Sequence, residues 1–130
     1  MIHILLKDLI IYQKALIISN KSWDIYKNFT WQIKKTIGDQ FITAIDSIGA
    51  NIAEGYGRFH YLDRIKFYYN SRGSLLESLH WLELLKNRDL ITKNDYDFVT
   101  ILLEDLNLSL NAFIKSNYQS KDLKHVGNGK

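Results

Sequence analysis

Residues 51–58, Asn-Ile-Ala-Glu-Gly-Tyr-Gly-Arg, gather the side chains of this chain best suited to chemistry. Asn51, Glu54 and Arg58 stand around Gly55 and Gly57, a mixture that fits a phosphate-gripping loop or a catalytic carboxylate. Gly-Tyr-Gly-Arg lacks the GxxxxGK[ST] spacing of a phosphate-binding loop, so the first option is weak. Glu77 and His80 make one Glu-x-x-His, half of the ligand pattern of di-iron carboxylate bundles. Such a site needs a second copy of the motif and two further inward glutamates, yet His3, His60 and His125 have no Glu three residues earlier. A surface histidine beside a helix-exposed glutamate is the expected reading, with no metal and no cofactor. Without expected strands there is no strained strand-to-helix elbow for a serine nucleophile. Cys is absent, which removes disulfides, thiolate chemistry and cysteine-ligated zinc. No catalytic residue is assigned, and no enzymatic activity is expected.

The remaining chemistry is electrostatic. Net charge is +3 but unevenly spread. Residues 1–38 hold six lysines against two aspartates, and residues 58–72 hold Arg58, Arg64, Lys66 and Arg72 against Asp63. Lys7, Lys14 and Lys21 recur every seven residues, about 10 Å apart on a helix rising 1.5 Å per residue. Lys27, Lys34 and Lys35 continue the row. Arg58, Arg64 and Lys66 extend it, with Tyr56, Phe59, His60 and Tyr61 near enough to stack on bases. For a single subunit the competing reading is a solvated helix face. Repeating a weak patch in an oligomer multiplies contacts to one polyanion.

The elements that must carry these residues are helical. The chain has 130 residues and no proline, which favours long uninterrupted helices in one domain. Leu5, Leu9, Tyr12, Leu16, Ser19, Trp23 and Tyr26 recur at spacings of four and three, an apolar stripe with the Lys7–Lys14–Lys21 row furthest from it. A second helix runs from about Gly38 to Gly55 on Phe41, Ile45, Ile48 and Ile52, with Ala44, Gly49, Ala50 and Ala53 keeping its surface small. A third runs from about Leu62 to Lys86, with Ile65, Tyr68, Tyr69, Leu75, Leu76, Leu79 and Leu82 inward. Thr92, three residues before Asp95, is the expected N-cap of a fourth, whose stripe is Tyr96, Val99, Leu103, Leu106, Leu110 and Phe113. Four amphipathic helices with short connections predict an all-α, antiparallel up-down four-helix bundle over residues 1–117. Residues 118–130 lack an apolar period and read as a disordered basic tail. Lys7, Asp8 and Lys14 interrupt the apolar N-terminus, so neither a signal peptide nor a spanning helix is expected, and the protein is read as cytoplasmic with no membrane contact.

Within this bundle, residues 51–58 become the end of the second helix, with Gly55 or Gly57 supplying a left-handed turn. Arg72 lies in line with Tyr68, Leu75 and Leu79 and needs a carboxylate if buried. Glu54 and Asp46 are the candidates and Glu54 the preferred one; the alternative is that Arg72 snorkels to the surface.

Residues 7–15, KDLIIYQKA, residues 39–58, DQFITAIDSIGANIAEGYGR, and residues 71–78, SRGSLLES, resemble the four-helix-bundle family of proteins encoded in bacterial 23S rRNA intervening sequences. That family includes the accessory variability determinant of diversity-generating retroelements. The resemblance covers roughly residues 5–115 and is carried most specifically by SIxxNIAEGxGR. Asn51, Glu54, Gly55, Gly57 and Arg58 match its central motif, and Gly73, Ser74 and Glu77 its third-helix motif. Tyr12 stands where the family usually has tryptophan, and no proline separates the first two helices. Thr43-Ala44-Ile45 replaces an arginine-bearing stretch. The resemblance implies a ring-like homopentamer without enzymatic activity, with a basic surface for RNA or DNA and, in retroelement members, a reverse transcriptase partner. The leading expectation is thus a non-enzymatic oligomer that contacts structured RNA, or an RNA/DNA–reverse transcriptase complex, through lysine- and arginine-rich faces. The alternative is a self-assembling protein–protein interaction module with no nucleic-acid role.

Overall fold

In the computed structural model, the backbone is described for residues 4–128 and the side chains for residues 4–118. The described residues form four long helices and no strand: α1 (Ile10–Tyr26), α2 (Asp39–Tyr56), α3 (Tyr61–Asn87) and α4 (Lys93–Asn128). A short 3-10 turn, Leu6–Asp8, precedes α1. A helical turn at Trp31–Ile33 and a π-helical turn at Lys34–Gly38 lead into α2. α1 packs against α2 and α4, and α3 packs against the same two helices, the arrangement of an up-down bundle with short connections. The backbone of α4 continues helical to Asn128, across most of the segment expected as a tail; side chains from residue 119 onward lie outside the described residues.

Local signals start and stop these helices. Thr30 Oγ1 accepts from the Ile33 amide at 3.2 Å, and Thr92 Oγ1 from the Asp95 amide at 3.1 Å, each satisfying an amide left orphaned by the helix start. At the C-terminus of α3, Leu90 N–H bonds to Leu85 C=O and Asp89 N–H to Lys86 C=O. That is a Schellman closure, and Asp89 holds its left-handed position at φ 55°.

The core is a layer of Ile11, Ile18, Phe41, Ile45, Ile48, Ile52, Tyr68, Leu75, Leu82, Leu85, Val99, Leu103, Leu106 and Leu110. In α2 and α4 the expected stripes are the buried ones, save that Tyr96 and Phe113 are only partly covered. In α1 the phase differs. Ile11, Ala15, Ile18, Ser22 and Ile25 are buried, whereas Leu5, Leu16 and Trp23 are exposed. Outside the sector of Gln13, Lys14, Asn20, Lys21 and Asp24 this helix is largely apolar, so two phases satisfy the same four-three spacing. The packed phase is the one with small residues at its centre: a Cβ on Gly49 would stand 3.5 Å from Ala15 Cβ. In α3, Ser71 and Ser78 are buried in place of Tyr69 and Leu76, which are exposed. The Ser71 hydroxyl donates to Ile48 C=O at 2.8 Å, meeting the hydrogen-bonding need of a buried polar group.

The two motif glycines serve a different purpose from the one expected. No described glycine has positive φ. Gly57 closes α2 at φ −81°, so the left-handed turn expected at Gly55 or Gly57 is not formed. Gly55 instead lies buried inside α2, where a Cβ would come within 2.7 Å of Tyr68 Cε1. Its role is to let α3 approach.

Candidate nucleic-acid interface

Rotation of α1 relative to the expected phase turns Lys14 and Lys21 towards α4. Lys14 Nζ meets Asp105 at 2.8 Å and Ser109 Oγ at 2.7 Å. Lys21 meets Asp95 at 3.1 Å and lies 5.4 Å over the Phe98 ring. They flank the buried face, which corrects their placement furthest from it. Lys27 pairs with Asp24 at 3.2 Å and Lys35 with Asp39 at 3.2 Å. Lys34 sits 5.0 Å over the Tyr26 ring. The Tyr26 hydroxyl donates to Asp39 Oδ1 at 2.5 Å; that bond, with Lys35 beside it, holds the Asp39 carboxyl below its usual range and pushes the Tyr26 phenol up. The basic charge of the α1–α2 end is therefore largely matched by carboxylates. Lys7, in the 3-10 turn, is exposed and makes no ion pair among the described residues.

The opposite end of the bundle differs. The α2–α3 connection, residues 57–60, is tied at both ends, by Gly57 N–H to Ala53 C=O and Arg58 N–H to Gly55 C=O on one side, and Arg64 N–H to His60 C=O on the other. Arg64 Nη1 also donates to Phe59 C=O at 2.8 Å. Arg58 pairs with Glu54 at 3.1 Å, one helical turn earlier, and its guanidinium lies 4.9 Å over the Phe67 ring. Lys66 Nζ lies 6.0 Å over the same ring, and Arg64 6.0 Å over Tyr61. Arg64 and Lys66 make no carboxylate pair among the described residues, so three cations meet one carboxylate in ion-pair contact. Phe67, which holds Arg58 and Lys66 together, was not singled out from sequence: its nine-residue separation from Arg58 bridges two helices and leaves no periodic signal.

The expected Glu54–Arg72 pair is not formed. Arg72 Nη1 donates to Asn111 Oδ1 at 3.1 Å and stacks 4.7 Å over Tyr69. The reason is angular: Ser71 faces α2, and the next residue, about 100° round the helix, faces α4 instead. Asn51 Nδ2 caps Ser47 C=O within its own helix at 2.8 Å. Gly73 is exposed, with nothing within 4 Å of where a Cβ would stand. The Glu77 carboxylate accepts from Trp81 Nε1 at 3.0 Å, and no group of three or more His, Asp or Glu able to hold a metal occurs among the described residues. No helix of the described residues is long and apolar enough to cross a membrane.

An all-helical bundle whose signature motif ends in a basic, aromatic corner defines the class. The chain belongs to the 23S rRNA-intervening sequence protein family, whose profile matches residues 7–112. Its fold is also that of a crystallised protein of unknown function from the S23 ribosomal protein family of Bacteroides thetaiotaomicron VPI-5482. The two are 24% identical with a TM-score of 0.74, over 82% of this chain and 96% of that one. No curated protein matches this chain.

Proposed function

We propose that this chain is a non-enzymatic accessory protein that assembles with itself and binds structured RNA, alone or with a reverse transcriptase, through its basic corner. The observation that carries the reading is the gathering of Arg58 and Lys66 on the Phe67 ring, with Arg64 over Tyr61 and bonded to the carbonyl of the exposed Phe59. Cations beside aromatic surface suit a phosphate backbone with its bases, and the name of the family links its members to rRNA insertions. The motif glutamate supports a structural role, since Glu54 is exposed and bonded to Arg58.

Self-assembly into a ring, five subunits in the family reading, has its own support. Leu62, Tyr69 and Leu76 form an exposed row on α3, and the open Gly73 between them costs about 1 kcal/mol of helix propensity that nothing within the chain explains. A neighbouring subunit seated there would account for both. Each copy would then present one basic corner to the same RNA.

The test is a salt titration of binding to a hairpin RNA. Affinity should fall steeply between about 50 and 200 mM salt and fall further in an Arg64→Ala/Lys66→Ala variant. Binding indifferent to salt, or unchanged in that variant, overturns the reading. Light scattering checks the assembly, with a monomer as the refuting result.

A further inference from the structure

Phe59 is 89% exposed, more than any other large hydrophobic residue described. At that exposure both faces of the ring are open to solvent, and the one ring against it, His60, meets it in a T-shaped contact at 5.4 Å. The ring is not carried on a loose segment. Its own carbonyl is bonded to Arg64, and the four-residue connection is hydrogen-bonded into α2 and α3. A phenyl ring that contributes nothing to the core is thus carried on a hydrogen-bonded connection whose own carbonyl is held by the Arg64 guanidinium, at the end of α3 that also bears Lys66. Trp31, the next most exposed at 74%, lacks such a setting, because Lys27 and Lys35, four residues to either side, are paired with Asp24 and Asp39 and Lys34 lies in the field of Asp39.

We propose that Phe59 is a stacking platform for one unpaired base of the bound RNA, with the phosphates on either side of that base resting on Arg64 and Lys66. The proposal rests on the RNA-binding reading above and narrows its ligand to helical RNA interrupted by a bulged or looped-out nucleotide. The physical argument is that a base inside a regular A-form helix offers no face to a side chain, whereas an unpaired one does. Stacking on an aromatic ring tolerates any base, so position in the RNA structure is selected and sequence is not. Glu54 neutralises part of Arg58, which leaves Arg64 and Lys66 as the phosphate contacts.

The experiment compares two RNA hairpins that differ only in one unpaired 2-aminopurine in the stem, titrated with the full chain at fixed low salt. The parent protein should bind the bulged hairpin roughly tenfold more tightly than the paired one, with a change in 2-aminopurine fluorescence as the base stacks on protein. Phe59→Ala should erase that preference, a loss of roughly tenfold on the bulged hairpin alone, and Phe59→Trp should retain it. Circular dichroism should show all variants folded, since the ring buries almost nothing. Equal binding of both hairpins by parent and Phe59→Ala, with Arg64→Ala/Lys66→Ala weakening both, overturns the stacking role and leaves the charge reading standing. Absence of binding to either hairpin overturns both. If Phe59→Ala spares RNA binding but breaks the oligomer, the ring is a protein contact and the proposal is wrong.

Discussion

Gly55→Ala tests a close approach between α2 and α3. A Cβ there would stand 2.7 Å from Tyr68 Cε1 and 3.0 Å from both Tyr68 Cδ1 and Phe67 Cβ, against an optimum of about 3.5–4.0 Å between carbons. Neither neighbour can yield cheaply. Tyr68 is fully buried, with its ring packed edge-on against Phe113 at 5.0 Å, and Phe67 Cβ is fixed to the backbone of α3. Relief requires α2 and α3 to part, the kind of overpacking that costs about 1–3 kcal/mol. Alanine returns up to about 1 kcal/mol in helix propensity, so Gly55→Ala should be net destabilising. Gly73→Ala is the matched control, because it receives the propensity gain with nothing within 4 Å to collide with. The difference between the two variants isolates the packing cost at about 1–3 kcal/mol. Urea unfolding followed by circular dichroism, at one chain concentration with the assembly state of each variant recorded, measures it. Equal stability of the two alanine variants would refute the argument that Gly55 exists for close packing.

Two further predictions concern stability. Asp89 sits at φ 55° in the Schellman turn, a region that penalises side chains by about 1–2 kcal/mol; Asp89→Gly should therefore raise the unfolding free energy measured in urea by about 0.5–1 kcal/mol after the greater freedom of glycine in the unfolded chain is counted. Burial pushes the Tyr68 phenol up to about 12, and a group whose pKa is raised on folding contributes stability that is complete below its unfolded value near 10 and lost as pH climbs through the folded one. The protein should thus lose on the order of 2–3 kcal/mol between about pH 10 and 12 from this residue, and alkaline unfolding of Tyr68→Phe should be correspondingly shallower.

What could be read from the sequence was what neighbouring residues decide among themselves. Thr92 capping Asp95 is a contact three residues long, and it forms as expected. The α4 stripe was legible because Tyr96, Val99, Leu103, Leu106, Leu110 and Phe113 keep an unbroken three-four spacing, although Phe98, Ile101 and Leu108 stand exposed on its other faces. The phase of α1 was not legible, because Ile10 and Ile17 interrupt the polar sector of Gln13, Lys14, Asn20, Lys21 and Asp24 and apolar residues fill most of the rest; in the packed phase Ala15 faces Gly49 of α2. Arg72 shows the same limit. Choosing between α2 and α4 requires its direction to within about 60°, and the choice went to Asn111, a neutral acceptor that no charge rule would nominate. The motif was legible as a helix end, but Gly55 was assigned a turn because its partner, Tyr68, is reached only through tertiary structure.

The α1 phase also decides where a polyanion can bind. Of the nine cations named as phosphate contacts, Lys14, Lys21, Lys27, Lys35 and Arg58 each meet a carboxylate. A phosphate approaching Lys14 must displace Asp105 or bear its repulsion, so the gain is reduced to that of one ion pair exchanged for another. Lys34 also lies in the field of Asp39, whose carboxyl it helps to lower; Lys7, Arg64 and Lys66 make no ion pair among the described residues, and the last two share one corner with Arg58 and Phe59. The contact surface thereby contracts from a row along α1 to the end of the bundle. The two unopposed cations of that corner correspond to a salt slope of only about −1.8 on a duplex, too little for tight binding by a lone subunit. A ring that repeats the corner raises the count of phosphates in proportion to its copies. In the proposed function RNA affinity and assembly are therefore coupled, and the exposed apolar row on α3 would be a requirement of the same function as the corner.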